Sequence, residues 1–179
     1  MNEWSIFIPC IPLSWKRPKL RPKATRQGKL WYDPNKEFKD FLQKELWVAW
    51  KNAGHKLISN LPITILELIF ILDTPKSWRK LGKVERSPHI TTPDRDNLEK
   101  IICEALQGVV VENDSQINLS LVILKGYVGS YFEQLPTGDV LLGEFTIKLS
   151  DCPLVETPGI YLRIGWVPPP SEGNLKGTS

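Results

Sequence analysis

The stretch Thr92-Pro93-Asp94-Arg95-Asp96-Asn97-Leu98-Glu99-Lys100 constrains this chain's architecture more than any other. Pro93 biases the residue before it towards extended backbone. Beyond it, Leu98, Ile101, Ile102, Ala105 and Leu106 recur at helical spacing, and Gly108 is a suitable stop. A loop must therefore turn into an amphipathic helix here, over about Asn97 to Gln107, with an apolar face to be buried. Eighteen residues after Asp96 comes Asp114-Ser115-Gln116-Ile117, at the head of a predicted strand.

The same stretch carries charge in an ordered way. If Asp94 to Asp96 is extended, residues i and i+2 point to the same side, so both carboxylates share one face at the helix mouth. Asp96 with Glu99 matches a D-x-x-E capping signal. Lys100 lies about one turn beyond Asp96 and roughly opposite Leu98, so it can point towards the acids while Ile101 and Ile102 enter the core. Asp94, Asp96 and Asp114, if they converge, can hold Mg²⁺, which prefers oxygen ligands. The bland alternative is that Asp-x-Asp-Asn after proline makes only a turn and a cap, and that Lys100 is a solvated surface lysine.

The rest of the chain reads as strands and one further helix. Trp4 to Ile11 is a first strand. Asp33-Pro34 resembles an N-cap with proline at the first helical position, leading into a helix with Phe38, Phe41, Leu42, Leu46 and Ala49 on one face and Gly54 as its stop. Pro62 to Leu72 is a strand rich in Ile and Leu. Val109 to Val111 suits a short strand. From Ile117 the chain alternates, with Ile117, Leu119, Leu121 and Ile123 expected on a buried face. Val140 to Leu149 is another strand after the turn Pro136 to Asp139. From Asp151 prolines break the chain; Ile160 to Val167 suits an edge strand, and Ser171 to Ser179 has a disordered character. The expected fold class is α+β, a small mixed β-sheet with two main helices packed on it. The expected organisation is one domain over residues 1–150 and a Pro-rich extension over 151–179, partly disordered.

Net charge is only +3, so the distribution of charge matters more. Lys16, Arg17, Lys19, Arg21, Lys23, Arg26 and Lys29 fall in one Pro-broken arm with no acid before Asp33. Lys76, Arg79, Lys80, Lys83 and Arg86 form a second basic loop, interrupted only by Glu85. Such clusters neutralise phosphates with little sequence information. Trp15, set among these cations, can stack on an unpaired base, as can Trp78; the bland alternative is a solvated arm, with Trp78 anchoring its loop. Cys10, Cys103 and Cys152 are odd in number and far apart, which fits a reducing cytosol rather than a disulfide framework or zinc site. His55 and His89 have no partner at metal-ligand spacing. No phosphate-binding glycine motif indicates a nucleotide cofactor. The longest apolar run, Ile63 to Leu72, is too short for a membrane span, and no signal peptide is visible.

Taken together, Pro93 to Lys100, Glu104-Ala105-Leu106-Gln107-Gly108, Asn113 to Ile117, Lys125 and the upstream Pro75-Lys76-Ser77-Trp78-Arg79-Lys80 resemble the RusA family of Holliday junction resolvases, metal-dependent endonucleases of bacteria and their phages. The resemblance covers about residues 4 to 149. It implies that Asp94, Asp96 and Asp114 are metal-binding catalytic carboxylates and that Lys100 is a catalytic lysine. Family members often carry two adjacent acids where this chain has Asn113-Asp114.

The expected function is thus a homodimeric, cytoplasmic, Mg²⁺-dependent endonuclease, with Mn²⁺ as the alternative ion. It would resolve four-way junctions and other branched DNA by paired symmetric incisions in recombination and repair. Lys16, Arg17, Lys19, Arg21, Lys23, Arg26, Lys76, Arg79, Lys80 and Lys83 are the expected DNA contacts. A non-catalytic DNA-binding protein of the same fold, or a structural phage protein, are the rivals.

Overall fold

In a computed structural model of the chain, the described residues are 1–20, 31–74, 92–128, 133–134, 140–142, 145–147 and 157–168. The elements run β1 (Asn2–Pro9), β2 (Lys19–Leu20), β3 (Trp31–Tyr32), α1 (Lys36–Asn52), β4 (Ile63–Leu72), α2 (Arg95–Leu106), a 3-10 turn (Asp114–Gln116), β5 (Ile117–Tyr127), β6 (Glu133–Gln134), β7 (Val140–Leu142), β8 (Phe145–Ile147) and β9 (Gly159–Trp166). The main sheet has the order β1-β9-β4-β5, with β4 and β5 parallel and the other neighbours antiparallel. A mixed sheet with two helices is the expected α+β arrangement. Among the described residues, no helix is long and apolar enough to cross a membrane.

The core follows from which residues share a sheet face. Register pairs Trp4, Ile6 and Ile8 of β1 with Ile164, Leu162 and Ile160 of β9. Those residues pair in turn with Ile65, Leu68 and Phe70 of β4. Strict alternation would put Ile65 and Leu68 on opposite faces. The register shift between Ile65 and Glu67 inserts Leu66 as an extra residue and restores both to one side. Against that side pack Leu42, Leu46 and Trp50 of α1 and Leu98, Ile101, Ile102, Ala105 and Leu106 of α2. Trp50 is fully buried; its Nε1 donates to the Lys56 carbonyl at 3.1 Å, and Trp4, His55 and Trp166 surround it at 4.4–5.4 Å. His55 is therefore a packing residue. Trp47, one turn back, is half exposed.

The other face of β4 and β9 is buried too, at Ile69, Ile71 and Tyr161. That explains the near-continuous apolar run of β4, since a strand covered on both faces shows no alternation. Glu67 interrupts the run and lies 3.6 Å from Arg163 of β9; burial pushes its carboxyl above the usual range.

Four expectations are corrected. The segment 160–167 is no edge strand: β9 lies between β1 and β4. Residues 159–166 thus supply an interior strand of the main sheet. Pro158 and Pro168 bound the strand. Gly159 at its start is required because a methyl there would run into the Phe7 ring and the Ile8 carbonyl. The alternation of β5 is also misassigned. Leu119 and Leu121 are 52 % and 57 % exposed: β5 ends the sheet order, and in its first half it is Ser120, paired with Ile65, that meets α2, while Leu119 is paired with Thr64. Finally, 140–149 is not one strand: β7 and β8 pair antiparallel within 140–147. Val109 to Val111 is a turn ending in isolated bridges from Val111, not a strand. The turn 136–139, Cys152 and residues 171–179 lie outside the described residues.

Candidate active site

The helix start differs from expectation, and the difference changes the geometry. Asp94 is the N-cap, with extended backbone (φ −68°, ψ 143°), and Arg95 is the first helical residue. Asp96 is thus inside the first turn of α2 rather than on an extended segment. Asp94's carbonyl accepts from Leu98 N–H at 3.1 Å, but its carboxylate makes no cap hydrogen bond. Asp96 is 85 % exposed and lies 3.3 Å from its neighbour Arg95. Such an exposed pair contributes little stability. Both acids sit where the helix's partial positive charge favours anions.

Glu99 does not complete a capping box with Asp96. Its Oε1 accepts a hydrogen bond from Ser120 Oγ at 2.7 Å, tying α2 to β5. From further along β5, Lys125 Nζ donates to the Pro93 carbonyl at 2.8 Å and fixes the residue just before Asp94. The Thr92–Pro93 peptide is cis.

Asp114 arrives by a separate route. It opens the 3-10 turn, and Asn113 caps that turn. Asn113 Oδ1 accepts from Ser115 N–H at 2.9 Å, and Gln116 Oε1 accepts from Asn113 N–H at 3.0 Å. Gln116 Nε2 then donates to the carbonyls of Ile58 and Leu61, at 3.1 and 2.8 Å. So Asn113 and Gln116 act as scaffold, and Asp114 is exposed.

Asp114, Glu99, Arg95 and Cys103 line one groove of about 430 Å³ between α2 and the start of β5. Burial pushes the Cys103 thiol up to about 12, with Glu99 and Asp114 adding to the shift. Both carboxylates therefore lie within electrostatic reach of that sulfur. Asp96 follows Arg95 on the helix and lies between the Glu99 side and the Lys100 side of its surface. Among the described residues, no three His, Cys, Asp or Glu side chains are close enough to hold a metal ion between them. Gathering carboxylates costs free energy that a divalent cation offsets. The donor set itself, exposed carboxylate oxygens at a helix N-terminus and a turn, suits a hard cation.

Lys100 has a partner that sequence reasoning missed. Its ammonium lies 3.6 Å from the centroid of the Trp15 ring. Trp15 is half buried, packs against the core, and donates its backbone N–H to the Asn97 carbonyl at 2.9 Å. The next residue is held from the other side. Buried Asn35 accepts from Lys16 N–H and donates to Lys16 C=O, both at 2.7 Å. Asp33 Oδ1 in turn accepts from the backbone and side chain of Asn35, at 2.8 and 2.9 Å. The Asp-Pro-Asn sequence was a signal of this turn, though Asn35 rather than Asp33 is the N-cap. The Asn35 amide holds the Asp33 carboxyl below its ordinary range. That contribution to stability is present above the unfolded carboxylate's pKa and fades as pH falls through the lower folded value.

Asn35→Ala strands both backbone groups of Lys16, so it is expected to cost about 2 kcal/mol. For a chain of this size the melting temperature should fall roughly 4–8 °C. A thermal melt checks this, and an unchanged Tm would mean that water replaces the amide.

Of the expected DNA contacts, Lys16, Arg17 and Lys19 are exposed at the base of the arm. Arg21, Lys23, Arg26, Lys76, Arg79, Lys80 and Lys83 lie outside the described residues, as do Trp78 and His89. A family model described as Endodeoxyribonuclease RusA matches residues 15–129, more than half of the chain. A search of curated proteins finds no match.

Proposed function

The chain belongs to the RusA family of endodeoxyribonucleases, and from that premise we propose that it resolves four-way junctions and other branched DNA. It does so as a homodimer, by paired symmetric incisions that depend on Mg²⁺ or Mn²⁺, in recombination and repair. Asp94, Asp96 and Asp114 are the residues that would hold the ion. When bound, the ion supplies a polarised phosphoryl oxygen and a water of lowered pKa. Lys100 places a positive charge one turn from Asp96, suited to charge building up on the phosphate under attack. Lys125 and Glu99 hold the loop and helix that carry Asp94 and Asp96.

The observation that carries the reading is that the acids are not spent on local structure. Asp94 caps its helix through the backbone alone, and Asn113 caps the 3-10 turn that Asp114 opens. A pair of aspartates serving only as caps would make those side-chain bonds. Two cuts on opposing strands need two such sites, which a twofold dimer supplies in the symmetry of the junction.

Cleavage of a four-way junction with and without Mg²⁺ tests the reading. Paired nicks only with the ion support it, whereas binding without cutting in either Mg²⁺ or Mn²⁺ favours the non-catalytic rival. The arm gives a separate expectation. Replacing Lys16, Arg17 and Lys19 together by Ala should flatten the salt dependence of log affinity by about 0.9 per lost phosphate contact, up to about 2.7 for all three. A triple variant with the parent's salt dependence would remove these residues from the interface.

A further inference from the structure

We propose that Trp15 is a positioning residue for Lys100, and that the base of the basic arm is thereby part of the catalytic apparatus. The inference rests on the nuclease reading and extends it to a residue that the acidic motif does not contain. A lysine carries its charge on a long flexible stem, so a surface lysine samples many positions. Here the ammonium lies 3.6 Å from the indole centroid, within the range where the ring's negative face attracts a cation. The ring cannot drift. Trp15 N–H is bonded to Asn97 on the helix that carries Lys100, and Lys16 is bonded through both backbone groups to buried Asn35. The indole is thus registered against α1 and α2 together, and it fixes the ammonium beside the turn that bears Asp96. The indole face engaged by Lys100 is closed to an unpaired base, the partner its place among cations had suggested. The exposed cations Lys16, Arg17 and Lys19 follow Trp15 within four residues, so a phosphate held on the arm is tied through one ring to the lysine.

The test compares Trp15→Leu, which keeps an apolar side chain but no π face, with Trp15→Phe, which keeps a ring. Lys100→Ala and the Trp15→Leu/Lys100→Ala double variant complete the set. Single-turnover junction cleavage at saturating protein is measured beside junction affinity. Trp15→Leu is expected to cut about 10-fold more slowly with affinity unchanged, and Trp15→Phe to recover most of the rate. The double variant should be no slower than Lys100→Ala. A readout independent of cutting is the upfield ring-current shift of the Lys100 ε-methylene protons, expected in the parent and lost in Trp15→Leu. Parent-like cutting by Trp15→Leu overturns the assignment, as do losses that multiply in the double variant, which would mark a packing defect. If the parent protein cuts no branched DNA, the nuclease reading falls and the catalytic role of Trp15 with it. If the parent cuts and Trp15→Leu cuts equally well, only the role of Trp15 falls.

Discussion

Replacing Asp94 by Asn is expected to lower junction cleavage by on the order of 10³-fold while leaving the protein folded and bound to DNA. Asn is as good an N-cap as Asp, so the substitution does not weaken the start of α2. It removes one negative charge and with it a strong oxygen ligand for a divalent ion. The Leu98 N–H bond to residue 94 uses the backbone carbonyl and survives. Junction affinity should hold or rise, since a negative charge near phosphate is gone. Asp96→Asn and Asp114→Asn should behave alike, because neither carboxylate supports its turn: Asp96 is exposed, and Asn113 does the capping near Asp114. Gel shift and cleavage on one junction, with a melt for each variant, measure all three quantities. Undiminished cutting by Asp94→Asn would sink the metal assignment. Loss of cutting together with a lowered melting temperature would mean a structural acid instead.

The second large effect concerns stability and lies in β9. Ile164 is fully buried between Trp4 and Ile65, its partners in β1 and β4. Ile164→Ala should cost about 2–5 kcal/mol, the usual range for deleting such a side chain from a packed core. Val167, three residues on and 66 % exposed, should tolerate Ala within about 0.5 kcal/mol. A chain stopped after Glu156 lacks β9 altogether, which separates β1 from β4, and it should not fold. Urea unfolding of the point variants, and far-UV circular dichroism of the shortened chain, decide the matter. A cooperative transition in the shortened chain would show that the sheet closes without its interior strand.

These cases show where sequence was informative. The helix α2 was legible because five apolar residues repeat at 3.6-residue spacing, and β4 because its apolar run is bounded by prolines and loops. The position of β9 was not legible. Gly159 to Trp166 pairs only with strands distant in sequence, and its lack of alternation is as compatible with a short exposed segment as with one buried on both faces. For β5 the alternation was real but pointed the wrong way at Leu119 and Leu121, because periodicity gives the two faces without saying which is covered. In the candidate site, sequence spacing singled out Asp94, Asp96 and Lys100 at the start of one helix and Asp114 in the turn that follows it. The helix and the turn are both present; the catalytic roles of these residues are the proposal made above. The partner of Lys100 was not, since Trp15 reaches it across the fold through bonds to Asn97 and Asn35 that no local pattern encodes. Asp94 as N-cap shifted the helix start by two residues, and with it the argument that placed both acids on one extended face.

The position of β9 also orders events in time. β1 is made first, yet its register pairs Ile8 with Ile160, so it has no sheet partner until the ribosome has passed that residue. β4 and β5 can pair through the α2 crossover much earlier, giving a nucleus that already carries Asp94, Asp96, Lys100 and Asp114. Closing the sheet then threads a late strand between two early ones, a long-range step that raises contact order and slows folding. Until it is complete, β4 presents an unpaired edge to other nascent chains, a known route to aggregation. Growth temperature and chaperone supply should therefore govern the yield of active protein more than the strength of the α2–β5 nucleus does.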